Sequence, residues 1–249
     1  MNMIMTIGGT DSSGGAGLTR DAFIAQHFGL GTMPIVTAVT AQSHQLVKSV
    51  QMMTANFIVD QITAALASET PAAIKIGMLG TPEIAETVAD AIGAASCPIV
   101  IDPVLKSTSG RDLMSGPFPP SLLSKADIIT PNLFEAAAMT HLPVAMSPPN
   151  IRKQAEILQA NGAKAVLIKG GHATGVASTD YLFQGTTIQA FSSQRLNKDM
   201  RGTGCALATA IACGLAQGNA LSHACDRAKS LIFDWISEDE TNARTELAD

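Results

Sequence analysis

The segment MIMTIGGTDSSGGAGLTRDAFIAQHFG (residues 3–29) joins three textures in one run, and their order decides the fold. Residues 3–7 form a short apolar run suited to a buried strand. A loop of glycines and small polar residues, GGTDSSGGAG (8–17), follows it directly. Apolar residues then return at helical spacing, with Leu18, Ala22, Ala25 and Phe28 on one face. Strand, glycine-rich loop and helix make the first half of a βαβ unit.

The rest of the chain repeats that alternation. Strand-like runs recur at MPIVTAV (33–39), AAIKIG (72–77), PIVID (98–102), DIIT (127–130) and KAVLIK (164–169). Between them, TPEIAETVADAIGAA groups Ile84, Val88, Ala91 and Ile92 behind a Thr81 N-cap and Pro82 at N1. SPPNIRKQAEILQANG opens on Ser-Pro and stops at Asn161-Gly162. Strands alternating with helices predict an α/β fold whose mostly parallel sheet is covered on both faces. Two segments break the rhythm: KSVQMM (48–53), and a hairpin from TDYLFQG and TTIQAF (179–191) turning near Gln184-Gly185. Both read as small antiparallel additions. A single domain over 1–249 is expected, with a polar tail from about 237 that frays.

Composition removes several function classes. The 249 residues are 46% hydrophobic and 15% charged, with a formal net charge of −5 and no basic run. Nucleic acid and anionic membranes call for clustered Lys and Arg, so neither is an expected partner. The most apolar helical stretch, Cys205 to Ala216, has 12 residues, short of the ~20 that span a bilayer. The start MNMIMTIGG has no basic region and is not a signal peptide in this reading, so a cytoplasmic protein is expected. The four cysteines, Cys97, Cys205, Cys213 and Cys225, form no CxxC pair, which argues against zinc-ribbon and thioredoxin-like sites. Cys205 and Cys213 stand eight residues apart in one helical run, roughly 12 Å along the axis and too far to bridge.

In open α/β sheets ligands bind beyond the carboxyl ends of the strands, and the informative residues cluster there. RGTGC (201–205) leads into the apolar helix. Gly202 and Gly204 permit close backbone approach, and the helix N-terminus offers N–H groups to an anion. No GxxxxGK[ST] motif occurs and no GxGxxG opens the first strand, so a nucleotide must be held another way. Cys205, read as the first residue of this helix, has two readings: a thiol with its pKa lowered by the helix terminus, or an inert small hydrophobe. Asn132 and Glu135 in TPNLFEA either cap a helix or position Mg²⁺ through water. Asp102 is a strand-end cap or a charged group beside metal or phosphate. Lys169 stands where a phosphate would pass; Lys75 has a similar place or supports packing. Of the histidines only His172 falls near a candidate site, and no Ser-His-Asp arrangement stands out.

Seven blocks in order, IGGTDSSGGAGLTRD, TAVTAQ, IKIGMLG, VIDPV, ITPNLFEA, LIKGGH and RGTGCALATAIACGLAQG, resemble the hydroxymethylpyrimidine/phosphomethylpyrimidine kinases of thiamin biosynthesis. These are ribokinase-like enzymes, and the resemblance runs from residue 4 to about 235. It implies a three-layer ribokinase-like sandwich, ATP and Mg²⁺, and phosphorylation of 4-amino-5-hydroxymethyl-2-methylpyrimidine and its monophosphate. It further implies a homodimer. By the same resemblance Gly9, Ala16, Asp21, Gln42 and Met78 hold the pyrimidine. Asp102, Lys169 and Asn132 serve nucleotide and phosphates, with Glu135 toward Mg²⁺. Gly202, Thr203 and Gly204 supply the anion hole, and Cys205 takes the proton of the alcohol.

The chain departs from the family pattern at three places. Met200 and Arg201 replace the usual Thr-His before GTGC, and Arg201 is read as an alternative phosphate clamp. Thr108 stands where a Lys is usual, with Lys106 and Arg111 nearby. Ser12 and Thr19-Arg20 differ in the first loop. Pyridoxal/pyridoxine kinase is the competing enzyme reading, and a non-catalytic pyrimidine-binding relative the competing class.

Overall fold

A computed structural model describes residues 2–93, 95–107, 110–171, 175–196, 198 and 200–246, the side chains of 239–246 apart. Thr108 and His172 lie outside the described residues. The chain runs β1 (Met3–Asp11), α1 (Gly17–His27), β2 (Gly31–Gln42), β3 (Val47–Met52), α2 (Ala55–Ser68), β4 (Ala73–Ile76), α3 (Pro82–Ala91) and β5 (Ile99–Ile101). It continues α4 (Pro120–Leu123), β6 (Ile128–Ile129), α5 (Leu133–Thr140), α6 (Pro148–Ala160), β7 (Ala165–Ile168), β8 (Ala177–Gln184), β9 (Thr187–Gln194), α7 (Thr203–Ala216) and α8 (Leu221–Glu246).

The strands form one sheet in the order β3-β2-β1-β4-β5-β6-β7-β8-β9. From β2 to β7 every neighbour pair is parallel, while β3, β8 and β9 join antiparallel. The two antiparallel additions are those expected, and Gln184 pairs with Thr187 across the hairpin turn. Side-chain alternation along the strands feeds two cores. Ile74 and Ile76 face the layer of α2 to α6, and Ala73 faces α1, α7 and α8. This is the three-layer architecture anticipated. Thr81 accepts from the Ile84 N–H at 3.2 Å, and Pro82 occupies the first turn of α3, also as expected.

Two local expectations change. The buried face of α1 is Leu18, Asp21, Ile24 and Ala25, and Ala22 is exposed, because a charged residue occupies the inner face. Helix α7 starts at Thr203, so Cys205 is its third residue, not its first. Helix α8 is assigned through Glu246, within the polar segment that begins at 237.

The inner charge on α1 has its counterpart in the sheet. Lys75, in the all-buried strand AIKI, sends its Nζ to the Asp21 carboxylate at 2.8 and 3.0 Å. Thr209 of α7 donates to the same carboxylate at 2.7 Å. One buried ion pair thus ties β4, α1 and α7 at a single point. The chain reverses direction across the sheet at β1, between β2 on one side and β4 on the other. Such a switch point leaves a crevice at the strand ends.

Removing one member of this pair should be costly. Lys75→Met is expected to lower unfolding free energy by about 3–5 kcal/mol, since it strands a buried carboxylate. The double variant Asp21→Leu/Lys75→Met should recover most of that loss. Urea unfolding of the three proteins checks both statements.

Candidate active site

A cavity of about 900 Å³ opens at this edge, lined by Arg201 and by every residue to which the resemblance gives a role. On one side stand Gly9, Ala16, Gln42 and Met78, from the ends of β1 and β2 and the turn after β4. On the other stand Asp102, Asn132, Glu135 and Lys169, which follow β5, β6 and β7. Between them lies the turn Arg201–Cys205.

That turn is fitted against the first loop. Gly202 has φ +78°, and a Cβ there would collide with the Gly15 carbonyl oxygen, so only glycine closes the contact. The first intrahelical bond of α7 runs from the Ala206 N–H to the Gly202 oxygen at 2.9 Å. The N–H groups of Thr203, Gly204 and Cys205 therefore precede the helical ladder and line the cavity, a suitable cradle for an anion.

The charges that follow β5, β6 and β7 form one cluster. Lys169 Nζ sits 2.9 Å from Asp102 Oδ1 and 4.0 Å from Glu135 Oε2. A Cβ on Gly204 would lie 3.4 Å from that Nζ and 3.6 Å from Asp102 Oδ2, so the cluster abuts the start of α7. Burial alone would lower the proton affinity of Lys169, but Asp102 and Glu135 hold it above its ordinary value. Burial lifts the Glu135 carboxyl to about 7, with Lys169 opposing. Asp102, whose role the sequence left open, is thus a charged group beside the anion cradle.

Asn132 and Glu135 adopt the capping alternative. Asn132 Oδ1 accepts from the N–H groups of Phe134 and Glu135, both at 2.9 Å, and Glu135 Oε2 accepts from the Asn132 N–H at 2.8 Å. The cap still borders the cavity. Among the described residues no group of three or more His, Cys, Asp and Glu could cage a metal. Two carboxylates flanking a lysine suit a Mg²⁺ ion that keeps its waters and is carried on phosphates.

Two expectations about individual groups are corrected. Asp21 borders the cavity, yet its carboxylate is committed to Lys75 and Thr209, so it supports the site from below rather than offering oxygens to a ligand. Arg201 does not point to the phosphate side. Its Nη2 donates to Gln42 Oε1 at 3.2 Å and Asp11 Oδ2 at 3.4 Å, and its Nη1 to the Ser43 oxygen at 2.6 Å and Ser13 Oγ at 3.4 Å. The two candidates for replacing the usual lysine are engaged as well: Lys106 with Asp112 at 3.0 Å, and Arg111 with the Val47 and Lys48 carbonyls.

The thiol also differs from the sequence expectation. Burial pushes Cys205 up to about 11, against the pull of the Lys75 ammonium and the Gly17 N–H that donates to its sulfur. Desolvation of a thiolate outweighs the helix-terminus effect.

Sequence reading missed several groups. Asp11 anchors Arg201. Arg195 donates to the carbonyls of Gly170, Gly171, Gly175 and Ala177, cinching the segment between β7 and β8 to the β8–β9 hairpin. Lys229 of α8 pairs with Asp180 at 3.1 Å beside the cavity. No local motif marks any of these, because each partner lies far along the chain or is a backbone carbonyl.

A sequence model described as phosphomethylpyrimidine kinase matches residues 11–246. A hydroxymethylpyrimidine/phosphomethylpyrimidine kinase of Rhizobium meliloti is 36% identical over 238 residues, covering 94% of this chain and 90% of that one. The Streptomyces coelicolor protein of the same name is 35% identical over 240 residues, covering 94% and 88%. Among solved structures, phosphomethylpyrimidine kinase from Clostridium difficile superposes with a TM-score of 0.81 at 31% identity, covering 95% of this chain and 100% of that one. Pyridoxal kinase from Staphylococcus aureus in complex with AMP-PCP and pyridoxal gives 0.81 at 30% identity, covering 92% and 85%.

The state of the thiol is directly measurable. In a Cys97→Ser background, iodoacetamide labelling of Cys205 should accelerate about tenfold per pH unit from pH 7 to 10, following its thiolate fraction. A rate already flat below pH 8 would reveal an ionised thiol.

Proposed function

The chain belongs to the phosphomethylpyrimidine kinase family and is a kinase, and from that premise we propose that it phosphorylates 4-amino-5-hydroxymethyl-2-methylpyrimidine, and its monophosphate, with ATP. The observation that carries the proposal is the arrangement of the cavity. An apolar and amide-bearing side (Ala16, Met78, Gln42) and a cationic side (Lys169, α7 N-terminus) share one space, with Cys205 at their junction. The Gly17 N–H binds its sulfur from the first loop, while a Cβ on its neighbour Gly204 would reach the Lys169–Asp102 pair.

Phosphoryl transfer to an alcohol needs positioning and charge neutralisation more than a protein nucleophile. In this reading Met78 and Ala16 pack the ring and Gln42 hydrogen-bonds its edge, placing the hydroxymethyl oxygen near Cys205. Lys169 and the N–H groups of Thr203, Gly204 and Cys205 receive the charge of the transferring group. Glu135 and Asp102 would hold Mg²⁺, which would neutralise charge on the nucleotide phosphates. Cys205 accepts the alcohol proton in its thiolate form. With its pKa near 11, that form is scarce at neutral pH and grows as pH rises. We place the enzyme in the cytoplasm as a homodimer, the exposed Val39, Leu46 and Phe57 being apolar surface available to a second copy.

Pyridoxal is the second substrate to weigh, because pyridoxal kinases superpose on the chain as well as the pyrimidine enzyme does. Incubation with MgATP and each alcohol, scored by mass for one or two phosphoryl additions, decides between them. One or two additions to the pyrimidine are expected, and a clear preference for pyridoxal overturns the substrate assignment.

If Cys205 is the base, Cys205→Ala should cut single-turnover rates by about 10²- to 10⁴-fold while sparing pyrimidine binding. The wild-type rate should climb about tenfold per unit between pH 7 and 9, because only the thiolate accepts a proton. A normal rate in Cys205→Ala reduces the thiol to packing.

A further inference from the structure

We infer that Arg201 is a specificity-determining positioning residue: it fixes the Gln42 amide as a hydrogen-bond donor, so the site selects a heterocycle presenting an acceptor nitrogen at that point. The inference deepens the proposed function and rests on its placement of the alcohol substrate beside Gln42.

A guanidinium only donates. The Gln42 atom 3.2 Å from Arg201 Nη2 is therefore the amide oxygen, and the end left to a ligand in the cavity is the NH₂ group. The backbone of Gln42 is also pinned, since Ser12 Oγ receives its N–H at 2.8 Å and donates to its oxygen at 2.9 Å. Arg201 in turn cannot swing freely. Asp11 is buried, and its Oδ1 accepts from the Ser13 N–H at 2.8 Å and Ser13 Oγ at 2.7 Å, leaving Oδ2 to face the guanidinium at 3.4 Å. The Ser43 carbonyl fixes the other arm at 2.6 Å. With both N–H pairs of its terminal nitrogens committed to Ser13, Ser43, Asp11 and Gln42, the side chain keeps no two-donor fork for a phosphate. Its place is the alcohol side. Without it, the amide is free to rotate and present either end.

Kinetics with alcohol and MgATP varied separately, together with calorimetric binding of the alcohol, test this. Arg201→Met should raise the KM for the alcohol about tenfold, the worth of one oriented hydrogen bond, and leave the KM for ATP within about twofold. Gln42→Glu keeps an acceptor for Arg201 but removes the donor, and should weaken alcohol binding at least as much. Arg201→Met added to Gln42→Leu should cost little more than Gln42→Leu alone. Should Arg201→Met fold poorly, Asp11→Asn/Arg201→Met removes the stranded carboxylate and carries the same expectation. A rise confined to the KM for ATP, or wild-type alcohol affinity in Gln42→Glu, overturns the inference. Failure of the wild-type enzyme to phosphorylate the pyrimidine overturns the substrate assignment instead; the variants are then read on whichever alcohol it does phosphorylate.

Discussion

The rest of the structure depends on a buried charge pair, Lys75 with Asp21, set where the sheet meets two helices. Taking two ions out of water costs several kcal/mol for each, and only close geometry with further hydrogen bonds offsets it. Here a bidentate contact and the Thr209 hydroxyl supply them. An apolar contact tolerates sliding; an ion pair of this kind does not. It fixes α1 and α7 against β4, and so fixes the first turn of α7, where Cys205 and the anion cradle lie. The Lys75 ammonium also reaches the thiol electrostatically, so the pillar that positions the site contributes to its chemistry.

The electrostatics of the cavity follow from a balance between desolvation and pairing. Each buried group would be driven toward neutrality if it stood alone. Asp102 and Glu135 hold Lys169 charged, and Asp21 does the same for Lys75. Cys205 has neighbours of both signs, Lys75 against Asp21 and Asp102, and burial decides the outcome in favour of the thiol. Lys169 is therefore charged and held in place at the cavity by its carboxylate partners.

Much of this was legible in the sequence. The alternation of apolar runs and helical spacing gave the sheet and its layers, because both periods report one-sided burial. The strand-end clustering of Gly9, Gln42, Asp102, Asn132 and Lys169 gave the cavity, because parallel strands deliver their carboxyl ends to one edge. Periodicity was blind to Asp21. It scores only apolar residues as inward, so it put Ala22 on the buried face of α1 in place of a charge satisfied 54 positions away. The direction of Arg201 was equally invisible, since its partners stand 158 to 190 residues earlier. The state of the thiol stayed open for another reason. Sequence shows a helix terminus but not the desolvation that opposes it, and for Cys205 desolvation pushes the pKa up.

The five residues from Arg201 to Cys205 join the two halves of the site. Arg201 reaches the loops after β1 and β2, Gly202 closes against Gly15, and Gly204 and Cys205 line the same cavity as Lys169 and Asp102. The Gly15–Gly202 contact has no room for even a methyl group, so the first loop and the start of α7 are held close together. Arg201 at the turn's first position, where the family usually has histidine, adds a charge that buried Asp11 neutralises.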